Sequence, residues 1–453
     1  MARTAKKDNA LTPEEKLAQA LVRESEQPYQ IPENWCWAKL KSIYEINPKI
    51  NAEENIAAAF IPMEKISAGT CSEFEFEIQP WGMAKKGHTQ FADGDVAFAK
   101  ISPCFENGKS FIVHGLPNGI GGGTTELIIL RQPLMDQRFT YWLISTDDFI
   151  KGGCRTYSGT VGQQRINMDY VKKYPVPVPP LAEQQRIVDR IESLFAKLDE
   201  AKEKAQAVVD GFEDRKAAIS HKAFTGELTA EWRNTHGVSI DDWENAPLET
   251  VFQLRSGSTI DASEELEYGA IPYVKVADMN LPENEIQITT SSRFVDECPE
   301  SHVIPKGSTI FPKRGGAILT NKKRYVGVEK IIADLNTMAI MPIAGRAYGW
   351  YGYYWMQSVD LRQLNNGSNV PQINNKDMVK LFVPTPSIDE QKAIVGILDS
   401  IFDKEIEAKE TAEQVIDQID SMKKSILARA FRGELGTNDP ADESAEELLK
   451  RIL

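Results

Sequence analysis

Basic side chains are concentrated between Val303 and Lys330. Seven lysines and arginines stand there against one acidic residue, Glu329, which gives a local charge of +6. Clustered cations of this kind bind phosphate oxygens and position a protein on a nucleic acid without reading its sequence. The corresponding region nearer the N-terminus is less basic, because acidic residues lie among its lysines. The stretch from Val303 to Lys330 therefore predicts a phosphate-contacting face.

Amide and guanidinium side chains precede each of two proline-rich segments, at 163–165 and at 365–374. Such side chains can read the edges of bases in a groove of DNA. The alternative is that they are ordinary polar residues of loops, or caps near the helices that follow. Tyr157 is open to a similar choice between a backbone contact and core packing. The residues predicted to contact phosphates or bases are Lys100, Asn107, Lys109, Arg155, Tyr157, Gln163, Gln164, Arg165, Lys313, Arg314, Asn321, Lys322, Lys323, Arg324, Asn365, Asn366 and Gln372.

The sequence contains no motif that requires catalysis. It has no phosphate-binding G-x-x-x-x-G-K-[ST] loop, no H-E-x-x-H among its five histidines and no G-x-S-x-G turn. Its five cysteines form no C-x-x-C pair, which argues against a zinc cluster or a disulfide framework and favours a reducing compartment. We therefore expect no catalytic residue, metal or cofactor on this chain.

Composition sets wider limits on the function. The chain has 453 residues, a length that suggests roughly two to four domains. Of these residues 42% are hydrophobic and 26% are charged, which is typical of globular proteins. Its net charge of −14 excludes a basic nucleic-acid coat, although a local basic face is compatible with it. The sequence has no apolar run of about 18 residues, so we expect no membrane span. The N-terminus lacks the apolar core of a signal peptide, so we expect a cytoplasmic protein.

An internal repeat positions the candidate residues. At an offset of 207 residues, 21 of the 48 positions from Leu181 to Leu228 are identical. Both copies carry Glu-Gln near the start, at Glu183 and at Glu390, and end in F-x-G-E-L. Repeats of this length indicate a duplicated structural unit.

Each repeat predicts a long helix, because prolines precede it and apolar residues follow a heptad. The heptads are broken at Arg215 and at Glu405. One copy predicts an uninterrupted helix of 33 residues from Ile187 to Ile219, about 50 Å long. We expect the two copies to form an antiparallel pair, in which a pseudo-two-fold axis relates one half of the chain to the other. The alternative is that each helix is a core helix of a globular domain. The predicted seam of that pair comprises Ile187, Ile191, Leu194, Leu198, Val208, Phe212, Ile219, Ile394, Leu398, Ile401, Val415, Ile419 and Ile426.

Two variable segments complete the chain and share faint similarities. Gly94–Lys100 aligns with Gly307–Lys313, and Tyr141-Trp142 aligns with Tyr354-Trp355. The predicted fold class is α+β, with two mixed α/β domains separated by an antiparallel two-helix coiled coil. The predicted divisions are an N-terminal helical segment at 1–30, variable domains at 31–172 and 234–380, spacer-helix regions at 173–233 and 381–437, and a tail helix at 438–453.

The order of these parts resembles the specificity subunit of type I restriction-modification enzymes. The resemblance is carried by P-x-P-P-L-A-E-Q-Q, the long helices and the two F-x-G-E-L endings. It implies that each variable segment is a target-recognition domain, which reads one half of an asymmetric, bipartite site on double-stranded DNA. It also implies that the helices dock two modification subunits, which supply S-adenosylmethionine and methylate adenine. It further implies two restriction subunits, which use ATP and Mg. The sequence of this chain does not distinguish such a complex from a modification-only system that lacks the restriction subunits.

Two other functions compete with this interpretation. A fused methyltransferase-specificity protein would be an enzyme, and the missing catalytic motifs weigh against it. A coiled-coil scaffold that binds only proteins would explain the helices but not the two glycine-rich variable segments or the basic stretch. The sequence does not reveal the DNA target or which domain reads which half-site, because base readout depends on loop geometry and DNA shape.

Overall fold

The chain forms two compact units in the computed structural model. The first unit contains the residues up to Lys204 together with Gln414–Leu453, and the second contains Ala205–Glu413. Each unit therefore holds one variable segment and a part of both long helices. The predicted contact residues Asn365 and Asn366 lie outside the described residues. The structure describes residues 12–70, 72–160, 162–364 and 371–453.

Two four-stranded sheets form the variable segment of the first unit. The first sheet is antiparallel, and its two central strands are buried on both faces: Val96 and Phe98 enter one core while Ala97 enters another. This follows from the two-residue period of a strand, which sends alternate side chains to opposite faces. The strands, in order across each sheet, are Glu45–Ile46, Leu127–Arg131, Val96–Ala99 and Ser110–Ile112 in the first, and Glu77–Pro80, Ala57–Ile61, Ile120–Gly123 and Thr89–Ala92 in the second.

The second unit repeats this topology. Its larger sheet adds one strand, Gln287–Ile288, at the edge beyond Arg324–Val326. Thr309–Pro312 occupies the place of Val96–Ala99, as the sequence alignment of these segments predicts. The strands, in order, are Phe252–Ser256, Thr337–Pro342, Thr309–Pro312, Arg324–Val326 and Gln287–Ile288 in the larger sheet, and Phe294–Val295, Ile271–Val274, Lys330–Ala333 and Ile304–Pro305 in the smaller.

A short antiparallel ribbon joins each variable segment to its long helix. Cys36–Lys39 pairs with Pro175–Val178 in the first unit, and Glu244–Pro247 pairs with Phe382–Thr385 in the second. Proline is tolerated in these strands because a two-stranded ribbon has only edges. The shorter helices are Pro13–Ala20, Leu40–Ile43, Trp81–Ala84, Gln137–Ile144, Asp147–Cys154, Met168–Lys173 and Ala445–Ile452 in the first unit, and Ala230–His236, Leu248–Val251, Gly349–Ser358 and Asn375–Met378 in the second.

The long helices are Leu181–Asp210, Phe212–Phe224 and Ile388–Ala430. The uninterrupted helix predicted from Ile187 to Ile219 is therefore divided at Gly211, although the backbone hydrogen bonds on either side of the glycine continue. Glycine weakens a helix because it has more conformational freedom to lose than any other residue. None of the helices in the described ranges is long and apolar enough to cross a membrane.

The long helices pair in opposite directions in the first unit, which confirms the predicted antiparallel arrangement. In the first unit, Lys202 reaches Asp420 at 3.2 Å and Asp199 reaches Lys423, so one number rises as the other falls. In the second unit, Nε of Arg215 lies 2.7 Å from a carboxylate oxygen of Glu405. The two residues that interrupt the heptads thus pair with each other.

The seam between the helices differs from the predicted seam in its details. Ile187, Ile191, Ile394, Leu398 and Ile419 are buried as predicted, whereas Leu194, Leu198, Val208, Phe212, Ile219, Ile401 and Ile426 are half-buried. Val415 is 37% exposed, and its assignment to the seam is wrong. Phe195 and Phe402, which the predicted seam does not include, are buried. They pack against the rings of Trp142 and Tyr354, so the variable segments redirect part of the apolar stripe.

A buried glutamate anchors each variable segment to its long helix. Glu183 is fully buried and accepts hydrogen bonds from the Trp35 indole at 2.7 Å, from Asn438 at 2.8 Å and from Thr437 at 3.3 Å. Glu390 is its counterpart and accepts from the Trp243 indole at 2.9 Å. We call Glu183 and Glu390 the anchor glutamates.

The remaining partners of the second anchor glutamate are one charged group and one neutral hydroxyl. The Arg233 guanidinium and the Thr229 hydroxyl each donate to Glu390 at 2.7 Å. Arg233 is itself buried and also donates to the carbonyl oxygen of Gly226 in the F-x-G-E-L ending. The carboxylate therefore links three parts of the second unit: the start of the helix, the end of the preceding repeat and the entry to the variable segment.

The glutamine next to each anchor glutamate holds a second helix. The side-chain oxygen of Gln184 accepts from the backbone N–H of Asp136 at 3.0 Å, and that of Gln391 accepts from Tyr348 at 2.8 Å. Asp136 and Tyr348 are the caps of Gln137–Ile144 and Gly349–Ser358. The repeated Glu-Gln thus has one structural role in both units.

Replacing Glu390 by alanine should destabilise the second unit by about 3–5 kcal/mol, because it leaves the Arg233 charge buried without a carboxylate. Glu413→Ala is the matched control, since Glu413 lies on the same helix but is exposed and 3.9 Å from Lys409. That change should cost at most about 1 kcal/mol. Urea denaturation followed by tryptophan fluorescence measures both. Equal losses in the two variants would show that the anchor has no special stabilising role.

Candidate nucleic-acid interface

The same surface is built in both units at the end of one central strand. This strand is Val96–Ala99 in the first unit and Thr309–Pro312 in the second. In the first unit the carbonyl oxygen of Lys100 accepts from the backbone N–H of Ile166 at 3.0 Å. In the second unit the carbonyl oxygen of Lys313 accepts from the N–H of Ile373 at 2.8 Å. Each bond ties the loop after a central strand to the segment that leads into the proline ribbon. We call these two surfaces the first and second reading faces.

The first reading face brings together residues that are far apart in sequence. Arg165 forms bridges with Ile101 on one side and Ser158 on the other. Gln164 exchanges backbone and hydroxyl hydrogen bonds with Ser102, at 2.8 and 3.2 Å. Of the predicted contact residues, those that this arrangement brings together are Lys100, Gln163, Gln164 and Arg165.

The other predicted residues of the first unit have mixed positions. Arg155 and Asn107 are exposed and accessible to a ligand. The Lys109 ammonium is half-buried and donates to the carbonyl oxygen of Met63 at 2.9 Å. Tyr157 is half-buried, with its ring at an edge-to-face distance of 6.3 Å from Phe105. Tyr157 thus has the core-packing role that the sequence left open.

The second reading face repeats this bonding with different side chains. The backbone N–H of Gly315 donates to Pro371 at 2.8 Å, as Ser102 donates to Gln164 in the first unit. Arg314 forms a bridge with Gln372, in the place of Ile101 with Arg165. Arg314 is exposed, whereas Lys313 is half-buried, and burial is the main cause that lowers the Lys313 pKa.

The basic stretch from Val303 to Lys330 does not form one face. Lys306 precedes the strand Thr309–Pro312 and pairs with Glu329 at 3.2 Å, whereas Lys313 follows that strand. The strand is about 10 Å long, so it separates the cations into two groups at opposite ends. Proximity in sequence cannot distinguish the two ends of a strand, and the prediction of a single face is wrong.

Lys323 does not fit the predicted phosphate contact. Its side chain is 1% exposed, and its ammonium donates to Val359 O at 2.6 Å and to Asn321 Oδ1 at 2.8 Å. Burial lowers the pKa of Lys323 to about 8. The Asn321 side-chain oxygen also accepts from the N–H of Leu361, so this residue supports the loop from inside the protein. These predictions failed because a lysine in a strand-to-strand loop can point either way.

The two neighbours of Lys323 are also engaged within the protein. The half-buried Lys322 donates to Asn280. The guanidinium of Arg324 is half-buried, donates to Lys323 O at 3.0 Å, and has its pKa lowered by burial. Among the predicted cations of the second unit, Arg314 is therefore the most accessible to phosphate.

The sequence did not identify Glu126, the residue that holds Arg165. Glu126 precedes the strand Leu127–Arg131, and its backbone carbonyl accepts from the N–H of Lys100 at 2.8 Å. Its carboxylate lies 2.7 Å from Nη2 of Arg165 and raises the pKa of that guanidinium. The two residues are 39 positions apart, and nothing in the local sequence pairs them.

No group of three or more histidine, cysteine, aspartate or glutamate side chains is placed to hold a metal ion within the described ranges. The reading faces include amide, guanidinium and ammonium groups. These groups donate hydrogen bonds to bases and phosphates.

A family model described as the type I restriction modification DNA specificity domain matches the chain twice, over residues 32–209 and 240–418. Together the two matches cover more than half of the chain. The chain belongs to the type I restriction-modification DNA specificity family. The resemblance seen in the sequence is therefore confirmed, and each match covers one variable segment together with most of the helix that follows it, Leu181–Asp210 or Ile388–Ala430.

Curated members of the specificity family are similar to parts of the chain. The chain is 40% identical over 192 residues to the specificity subunit of the type I restriction enzyme EcoAI, and 36% identical over 218 residues to that of EcoEI, both of Escherichia coli. These alignments cover 42% and 47% of the chain, and 33% and 37% of the relatives. The chain thus spans about a third of the length of these two relatives.

Solved structures share the fold of this specificity-family chain over most of its length. The HsdS subunit from Thermoanaerobacter tengcongensis matches with a TM-score of 0.69 and 18% identity, covering 90% of this chain and 100% of that one. A structure described by the assembly and conformational transition of the type I R-M system matches with a TM-score of 0.61 and 19% identity, at the same coverages. These likenesses confirm the predicted mixed α/β domains and helical spacer.

The buried Lys323 predicts a pH dependence of stability. Below about pH 8 its ammonium is charged in the folded and the unfolded chain, and burial of the charge costs stability. Between about pH 8 and 10.5 the unfolded chain keeps a proton that the folded chain has lost, so the free energy of unfolding rises with pH. The rise should be about 2–3 kcal/mol.

Lys323→Met should lack this rise, and the difference between the denaturation curves of the two proteins from pH 7 to 10.5 measures it. Tyrosines titrate in both proteins and cancel in the difference. A difference that does not change with pH would place the ammonium in solvent.

Proposed function

We propose that this chain is the DNA specificity subunit of a type I restriction-modification complex. Family membership supports a role in DNA specificity, and the two reading faces supply the chemical groups for it. The observation that carries the proposal is one bonding frame, repeated in both units, that presents different side chains. Arg165 stands opposite Ile101 in the first frame, and Gln372 stands opposite Arg314 in the second.

Repetition with divergence fits a bipartite DNA site. A protein that read two identical half-sites would need the same side chains in both frames. Different side chains at equivalent places recognise different base edges. Each unit would therefore read one half of an asymmetric site on double-stranded DNA.

The proposal assigns catalysis to other subunits. Two modification subunits would dock on the paired helices and bring S-adenosylmethionine, and two restriction subunits would bring ATP and Mg in a full restriction enzyme. This chain would act in the cytoplasm, where chromosomal and incoming DNA are both accessible to the complex. The second long helix, Ile388–Ala430, has a strongly acidic exposed surface. Such a surface suits binding to protein rather than to DNA.

The role in DNA recognition is tested by selection from random-sequence duplexes. The chain, purified with modification subunits, should retain duplexes that share a two-part motif. Retention without sequence preference would favour a protein-binding scaffold instead. Methyl transfer by the chain alone would favour a fused methyltransferase.

Arg314→Ala should weaken retention of the selected DNA and reduce the slope of log affinity against log salt by about 1, because one phosphate contact is lost. Lys306→Ala is the matched control, since Lys306 is an exposed cation at the other end of the same strand. Filter binding over a range of salt concentrations measures both slopes. Equal slopes for Arg314→Ala and the unchanged protein would remove the second reading face from the DNA interface.

A further inference from the structure

Arg165 is held by protein acceptors although it is exposed. Its Nε donates to the two carboxylate oxygens of Glu126 at 2.9 and 3.2 Å, and its Nη2 donates to the same carboxylate at 2.7 Å. Its Nη1 donates to the carbonyl oxygen of Gln163 at 3.0 Å. A carboxylate that grips one edge of the planar guanidinium fixes both its position and its orientation.

The held guanidinium still has donors to offer. Arginine carries five N–H groups. Glu126 and Gln163 engage the N–H of Nε and one N–H on each terminal nitrogen. One N–H therefore remains on Nη1 and one on Nη2. Two donors on the terminal nitrogens of one rigid group suit a ligand that presents two neighbouring acceptors.

The backbone of Arg165 is also fixed. Its N–H donates to Ser158 O at 2.9 Å and its carbonyl oxygen accepts from Ser158 N at 3.0 Å. The next residue, Ile166, is buried in the core of the first unit. Successive side chains in an extended segment point to opposite sides, so Arg165 projects away from that core.

Stability does not explain this arrangement. The side chains of Arg165 and Glu126 are 45% and 21% exposed, and an ion pair this accessible to solvent contributes little to stability. Ordering a long arginine side chain costs conformational entropy. Paying that cost before binding benefits a ligand that needs the arginine in one orientation.

We propose that Arg165 reads a guanine in the half-site bound by the first unit, through the O6 and N7 acceptors of the major groove, and that Glu126 is its positioning residue. The inference rests on the proposed function, because it needs the first reading face to lie against DNA. Guanine is the base that offers two neighbouring acceptors in the major groove, whereas adenine offers one acceptor and one donor.

The equivalent place in the second unit supports a base-reading role. It carries Gln372, whose amide nitrogen donates to the Asn374 side-chain oxygen at 2.9 Å. The amide is thereby oriented, as the guanidinium is in the first unit. Glutamine matches adenine, because its amide both donates and accepts. The same position thus carries side chains suited to two different bases.

Arg165→Gln provides the test, in the complex of the full chain with modification subunits. Duplexes selected by this variant should show A·T in place of G·C at one base pair of one half-site, with the other half-site unchanged. Discrimination against the wrong base pair should change by about 10- to 100-fold. Glu126→Gln should reduce discrimination at that same base pair, because the guanidinium is no longer held.

Arg138→Gln is the matched control in the same unit. The Arg138 side chain is 36% exposed, against 45% for Arg165, and is paired with a carboxylate, Glu192 at 3.0 Å, but it lies in the first turn of the helix Gln137–Ile144, outside the reading face. It should leave the motif unchanged. If Arg165→Gln does not fold, Arg165→Lys keeps the charge without the two-nitrogen end and should lose the preference for guanine.

The outcomes separate the inference from the proposed function. A wild-type complex that selects no motif would overturn both. A wild-type motif that neither Arg165 variant alters would overturn the inference and leave the proposed function standing. Changes spread over both half-sites would also overturn it, because Arg165 would then act through the fold.

Discussion

The structure depends on a buried carboxylate at the start of each long helix. Glu183 and Glu390 are inaccessible to water, so their charge is stable only because indole, hydroxyl, amide or guanidinium donors surround it. Those donors come from segments that are distant in sequence. One carboxylate therefore fixes the helix, the entry to the variable segment and the F-x-G-E-L region together, and the adjacent glutamine fixes the cap of a further helix.

This constraint explains why the frame is repeated while the reading faces diverge. The anchored elements lie on the side of each variable segment that meets the long helix. The reading faces lie at the ends of the central strands Val96–Ala99 and Thr309–Pro312. Their backbone bonds do not require a particular side chain at positions such as Arg165 and Gln372. The side chains on the reading faces can therefore change without disturbing the anchor.

The sequence predicted the frame better than the faces. The heptads and prolines located the long helices, and the paired interruptions at Arg215 and Glu405 fit an antiparallel register. The errors arose where a side chain's direction depends on tertiary packing. Val415 is exposed on the helix Ile388–Ala430, in which Phe402 is buried against Tyr354, and Lys323 turns inward to backbone and amide oxygens. Glu126 was missed because its partner is distant in sequence, and ion-pair geometry between distant residues has no local signature.

The most direct test of this account exchanges residues 31–165 for the corresponding segment of another family member and maps the methylated sites in cells that carry the complex. The account predicts that one half of the methylated motif changes and the other half stays the same, because each anchored frame holds one independent reading face. A change in both halves, or in neither, would contradict it.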